Sequence, residues 1–162
     1  MLYASLAAFV AAIVGLDQWT KWLTVRAIET TSGAAVIPAI PGVFHITHVK
    51  NTGAAWSMLE GQRWLFIAVS LLFFAAVGFM IWKKYLTKKF ELWCLAAIVG
   101  GAIGNLIDRI ATGAVTDMIC LDFISFPVFN VADCFVTCGC VLLFVYILFF
   151  DRKKEPADEV RS

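Results

Sequence analysis

The sequence predicts an all-α membrane protein of four transmembrane helices carrying a small extracytoplasmic β element. Three observations predict it. Of 162 residues, 61% are hydrophobic and 15% charged, where a soluble domain has about half and a quarter. Mean hydropathy is +0.84. Four charge-free runs stand apart, at 1–16, 64–82, 92–107 and 134–150.

A spanning helix needs about 20 residues, with a range of about 17–25. The second and fourth runs suffice alone. The first and third reach span length if helix continues through Asp17 or Asp108. Helices are therefore expected at about 1–22, 64–82, 91–108 and 133–150, with outer segments at 23–63 and 109–132, in a single membrane domain over 1–162. The first run could pass for a secretion signal, but it lacks a basic start, and Asp17-Gln18-Trp19-Thr20-Lys21 stands where a cleavage site should be. An uncleaved anchor is the better expectation.

Orientation follows from Lys and Arg in short loops. "KKYLTKK" (83–89) joins the second and third helices, and "DRKK" follows the fourth. Positive loops stay in the cytoplasm. Both termini are expected inside, and "EPADEVRS" is expected to be a solvated tail. Net charge is +1, which offers a nucleic acid no electrostatic footprint.

On that layout, Asp17, Asp108, Asp117, Asp122 and Asp133 gather at the outer membrane edge. Asp133 alone needs no special reason, because an acid suits a helix N-terminus. Asp17 and Asp108 sit at expected helix C-termini, where the dipole disfavours them. In the outer segments, "GVFHITHVKNTG" (42–53) is rich in β-branched residues and ends in a turn signal. It is expected to form a strand over 43–50. His45 and His48 are a weak metal pair, because i,i+3 residues in a strand face opposite sides. In "AIVGGAIGNLIDR", Ala96, Gly100 and Gly104 have the small-residue spacing that lets membrane helices approach closely. Of five Cys, four lie in apolar runs and read as small hydrophobes, with no disulfide framework and no ligand set. No metal and no cofactor are expected.

Paired carboxylates at such an edge have a chemical use. Two carboxyls held close together cannot both ionise easily, so they share a proton. One can then activate water while the other donates to a carbonyl oxygen. No HExxH or GxSxG apparatus competes. Intramembrane acids also mark proton relays, and a glycine packing stripe alone would suit an assembly subunit. Neither a transporter nor a structural subunit explains two acids flanking "FPVFN".

The blocks "DQWTK" (17–21), "NTGAAWS" (51–57), "GGAIGNLIDR" (100–109), "GAVTDMI" (113–119) and "FPVFNVAD" (126–133) resemble, in order and spacing, the signature blocks of the bacterial lipoprotein signal peptidases, signal peptidase II. The resemblance implies an intramembrane aspartic endopeptidase with an outer β-cradle and no cofactor. It would remove the signal peptide from diacylglyceryl-modified prolipoproteins by cutting before the lipidated Cys. Its implied setting is the bacterial inner membrane, with the active site at the outer face and the chain a monomer in contact with membrane lipid. It implies a catalytic pair at Asp117 and Asp133. Asn51, Asn105 and Arg109 would line the substrate cleft, and Asp17, Lys21, Asp108 and Asn130 would give structural support. Trp56 stands where the family more often has Phe, and Thr116 where Val is common. Asp122 belongs to no signature block.

Overall fold

In the computed structural model, which describes residues 1–28, 36–54, 56 and 58–150, four helices and three strands follow one another. They are α1 (Leu2–Ala27), β1 (Ile37–Ile40), β2 (Phe44–Asn51), α2 (Arg63–Trp82), α3 (Lys89–Ala111), β3 (Val115–Leu121) and α4 (Val131–Phe149). All four helices are long and apolar enough to cross a membrane, which makes this a multi-pass membrane protein. The "DRKK" run, the "EPADEVRS" tail and part of the 23–63 segment lie outside the described residues.

Helix α1 runs to Ala27, past the expected end at 22, so Asp17 is not at a helix terminus. The reason is local. Lys21 lies one turn on and its ammonium meets the Asp17 carboxylate at 2.8 Å, so both charges can stay inside the helix. Helix α3 likewise extends from Lys89 to Ala111, beyond the expected 91–108, and Glu91 accepts from the Lys88 N–H at its start. Helix α4 begins at Val131, two residues before Asp133, because Asn130 caps it.

Helix α3 is the central element, buried along most of its length between α1 and α4. Its glycines permit this. Gly100 abuts Ile13 of α1, and Gly104 abuts the Asp17 carboxylate. Gly101 faces the Ala132 carbonyl of α4. A Cβ on Gly139 of α4 would stand 2.8 Å from Ile98 and 2.9 Å from the Cys94 carbonyl. With little hydrophobic drive between helices in lipid, such close approach is what holds them. Helix α2 packs on α3, tied at one end by Arg63 donating to the Ile110 carbonyl at 2.7 Å.

The three strands form one antiparallel sheet in the order β1-β2-β3. It caps the end of the bundle where α1 and α3 finish and α4 starts. His48 of β2 donates from Nδ1 to the Ile28 carbonyl at 3.0 Å, fastening the sheet to α1. The basic turn at 83–89 lies at the other end. Strand β3 replaces part of the irregular segment expected over 109–132. "VTDMICL" has the β-branched and apolar content of a strand, and Asp117 interrupts it. Beyond β3 the chain folds back so that Ile119 pairs with Phe129, which returns it to the bundle at Asn130.

Candidate active site

The start of α4 sets the first acid. Asn130 is fully buried with extended backbone (φ −131°, ψ −179°). Its side-chain oxygen accepts from the Asp133 N–H at 2.9 Å, and Asp133 Oδ2 accepts from the Asn130 N–H at 3.1 Å. This reciprocal capping box satisfies two helix-end donors and fixes the Asp133 rotamer. The other oxygen, Asp133 Oδ1, accepts from Asn105 Nδ2 of α3 at 2.8 Å.

Strand β3 sets the second acid. Asp117 stands opposite Val49 of β2 and is 2% exposed. Asn130 Nδ2 donates to its Oδ1 at 2.6 Å, and Asn51 Nδ2 donates to its Oδ2 at 2.9 Å. Asn51 is itself held, its side-chain oxygen accepting from the Gly53 N–H at 2.9 Å. Burial pushes the Asp117 carboxyl up to about 6, with the Asp133 charge adding to the rise and the Asn51 and Asn130 bonds opposing it. No cation bonds directly to either carboxyl among the described residues. The acids are held by amides, which orient a carboxylate without taking its proton chemistry away.

Behind this wall lies a second set of charges. The Lys21 ammonium has three donors and meets three acceptors: Asp17 Oδ2 at 2.8 Å, Asp108 Oδ2 at 2.8 Å and Asn105 Oδ1 at 3.0 Å. Asp17 Oδ1 accepts from the Ala132 N–H at 2.9 Å, and Asp108 Oδ2 from the Thr116 N–H at 3.2 Å. The lysine thus ties α1 to α3, while its partner acids hold the first turn of α4 and strand β3. Asn105 is the joint between the sets, because its oxygen also accepts from Asn130 Nδ2 at 3.1 Å.

Both acids border one cleft of about 570 Å³. Its polar end holds Asn51, Asn105, Arg109, Asp117 and Asp133; Phe126, Pro127, Val128 and Phe129 form an apolar wall. That volume suits a ligand of peptide-segment size. Arg109 lies over the Phe66 ring at 4.7 Å and donates to the Gly53 carbonyl at 3.3 Å, which leaves further guanidinium N–H groups available at the cleft. Asp122 is elsewhere, 2.6 Å from His45 Nδ1 on the exposed sheet. The described residues hold no group of three His, Cys, Asp or Glu arranged for a metal.

The signal peptidase (SPase) II family profile matches residues 9–149. The chain belongs to the signal peptidase II family. It is 45% identical over 142 residues to the lipoprotein signal peptidase of Geobacillus kaustophilus, covering 86% of this chain and 90% of that one. With the lipoprotein signal peptidase of Enterococcus faecalis it shares 40% over 145 residues, or 88% of this chain and 86% of the relative. A bacterial membrane enzyme solved by the in meso method superposes with a TM-score of 0.83 at 28% identity, over 94% of this chain and 93% of that one.

As a signal peptidase II the protein is a peptidase. The structure brings Asn51, Asn105, Arg109, Asp117 and Asp133 to the cleft, joins them through Asn130, and sets Asp17, Lys21 and Asp108 one layer behind. Sequence reasoning passed over Gln18, which donates to Asp108 at 2.9 Å and to the Gly104 carbonyl at 3.2 Å. A second amide-bearing residue beside Asp17 in an apolar helix was the available signal. It also passed over Gly53, whose carbonyl seats Arg109, and the α4 face of Cys134, Thr137 and Cys138 along the cleft.

Proposed function

We propose that this chain is an aspartic endopeptidase that removes the signal peptide from diacylglyceryl-modified prolipoproteins, cutting before the lipidated Cys. The observation that carries it is the pair of carboxyls, Asp117 and Asp133, bordering one cleft and held by neutral amides alone, with Asp117 pushed up to about 6. An acid so shifted keeps its proton far closer to neutrality than an ordinary carboxyl, while its neighbour serves as base.

The steps follow from that asymmetry. A water between the carboxyls loses a proton to Asp133 as its oxygen attacks the scissile carbonyl carbon. Asp117 gives its proton to the carbonyl oxygen, so no full oxyanion forms. In the collapse, Asp133 returns its proton to the leaving nitrogen and Asp117 recovers one from the hydroxyl. Each acid ends as it began. Arg109 offers N–H donors to the peptide backbone beside the acids. Asn51, Asn105 and Asn130 keep the carboxyls in place through the cycle.

The signal segment is apolar and lies in the bilayer, so it reaches a cleft that opens between helices without leaving lipid. The setting that fits is the bacterial inner membrane, with both termini cytoplasmic and the cleft at the outer face. The four Lys at 83–89, at the bundle end opposite the acids, support this orientation. A reporter fused at Leu86 should read cytoplasmic; an external reading would overturn the orientation.

The test of the activity is direct. Full-length protein in lipid nanodiscs is given a diacylglyceryl precursor peptide and, separately, the same peptide without lipid. The expected result is one cut before the modified Cys in the lipidated peptide. No product, or equal cutting of the unlipidated peptide, would overturn the reading.

A further inference from the structure

Two of the thiols share the cleft with the acids. Cys134 follows Asp133 directly on α4, and Cys138 lies one helical turn further along the same face; both border the cleft, as does Thr137 between them. Cys138 is exposed and Cys134 half-buried. The other three are set differently. Cys94 is buried in α3, Cys120 is half-buried in β3, and Cys140 is exposed on α4 away from the cleft.

Exposure alone does not make a thiol reactive. The nucleophile is the thiolate, and a thiol in an apolar surrounding stays protonated. Cys140, on a spanning helix and away from the cleft, faces lipid and has no water to take its proton. A cleft that hydrolyses a peptide admits water, so this argument rests on the peptidase reading above. Water there can take up the thiol proton as an S–C bond forms. Cys138 is exposed and Cys134 only half-buried beside Asp133, which makes Cys138 the more accessible and the faster of the two. The walls are Val115, Phe126, Val128 and Phe129, which favour an uncharged reagent.

We infer that the cleft is a covalent capture site for small, uncharged, soft electrophiles, electron-poor alkenes above all, with Cys138 and then Cys134 as the acceptors. The thiol proton passes to water. A sulfur lone pair forms the S–C bond to one alkene carbon. The alkene π pair moves to the carbon beside the carbonyl, which takes a proton from water. Nothing leaves and nothing is oxidised. The adduct then occupies the cleft directly below Asp133, where a peptide would have to lie, and turnover stops.

The probe is N-ethylmaleimide, applied to the full-length protein in nanodiscs, with adducts located by peptide mass mapping. Expected are a first adduct on Cys138 and a slower one on Cys134, no adduct on Cys94 or Cys140 over the same time, and cleavage lost in step with the first adduct. Saturating lipidated precursor should slow both adducts. The Cys134→Ser, Cys138→Ser double variant should keep its own untreated rate when the reagent is added. Equal labelling of Cys140, or inhibition of the double variant, overturns the inference. The mass readout needs no turnover. Adducts confined to Cys138 and Cys134 in a protein that never cleaves would remove the peptidase reading and uphold the capture site. Cleavage that survives full modification of Cys138 would do the reverse.

Discussion

Four of the aspartates in this bundle end meet two different fates a few ångströms apart. Asp17 and Asp108 share one ammonium, whose three protons have three acceptors. Among the described residues, Asp117 and Asp133 bond only to amides and face an open cleft. The first pair shares one positive charge and serves to lock α1 to α3 and hold the elements around them. The second pair is oriented yet keeps its acid–base capacity. Burying a carboxylate is costly in both places. The Lys21 charge offsets part of that cost for Asp17 and Asp108, whereas Asp117 bonds to neutral donors and its burial stands as a raised pKa. The difference lies in partner type, not in residue type or depth.

The comparison breaks hardest at the second pair. Asp117→Asn and Asp133→Asn should each drop turnover to background, at least the roughly 10²–10⁴-fold that general acid–base catalysis supplies. Both variants should insert and still retain the lipidated precursor, measured by co-purification. Normal cleavage by either would end the dyad assignment.

Lys21→Met should act through folding. Two buried carboxylates lose their shared cation, a loss of roughly 3–5 kcal/mol for a broken buried pair. The readout is a lowered thermal midpoint in detergent. Adding Asp108→Asn to Lys21→Met should recover part of it, since one orphaned charge is removed. A double variant as unstable as Lys21→Met would show that the charges are not what Lys21 balances.

Acidity sharpens the contrast further. With Asp117 pushed up to about 6, kcat/KM should fall as pH rises through that value and the acid loses its proton. Stability moves in the same sense. A carboxyl raised in the folded state from 3.8 to about 6 adds stability that is fully present below 3.8 and is lost as pH rises through 6. From pH 7 to pH 5 the wild type should gain about 1 kcal/mol from this group, a slope that Asp117→Asn should lack. An equal slope in both would place the shift elsewhere.

The smallest effect belongs to Asp122. It pairs with His45 on the exposed sheet, outside the cleft. Asp122→Asn should cleave at the wild-type rate, measured on the same precursor, and a dead variant would contradict the geometry.

Much of this fold is legible in the chain, because lipid imposes a length and a composition on each spanning helix. The charge-free runs locate α2, α3 and α4 to within about a turn, while α1 continues eleven residues past the end of its run. What misleads is Asp17. A lone acid in an apolar run reads as a helix end, while the lysine that keeps it inside works together with Asp108 on another helix, eighty-seven residues along. Strand β3 is hidden for a similar reason, since Asp117 breaks the apolar pattern that would have marked it. The β2 strand has no such interruption and is visible from its β-branched residues. The acids themselves stand out by position, but Asp117 and Asp133 are singled out from Asp122 by resemblance to a family, not by spacing. The roles of Asn105 and Asn130 as joints emerge only in three dimensions, because an amide in sequence does not say which carboxylate it will face.

The capping box of α4 makes Asp133 an anchor of its own helix. Asp133 Oδ2 is the acceptor for the Asn130 N–H, while the Cys134 N–H reaches back to the Asn130 carbonyl at 3.3 Å. In the proposed cycle a proton taken up by Asp133 would weaken that acceptor, and the first turn of α4 would loosen and then tighten as the proton leaves. Amide hydrogen exchange at Asn130 thus becomes a meter of the chemical state of the site, readable without substrate and without any label.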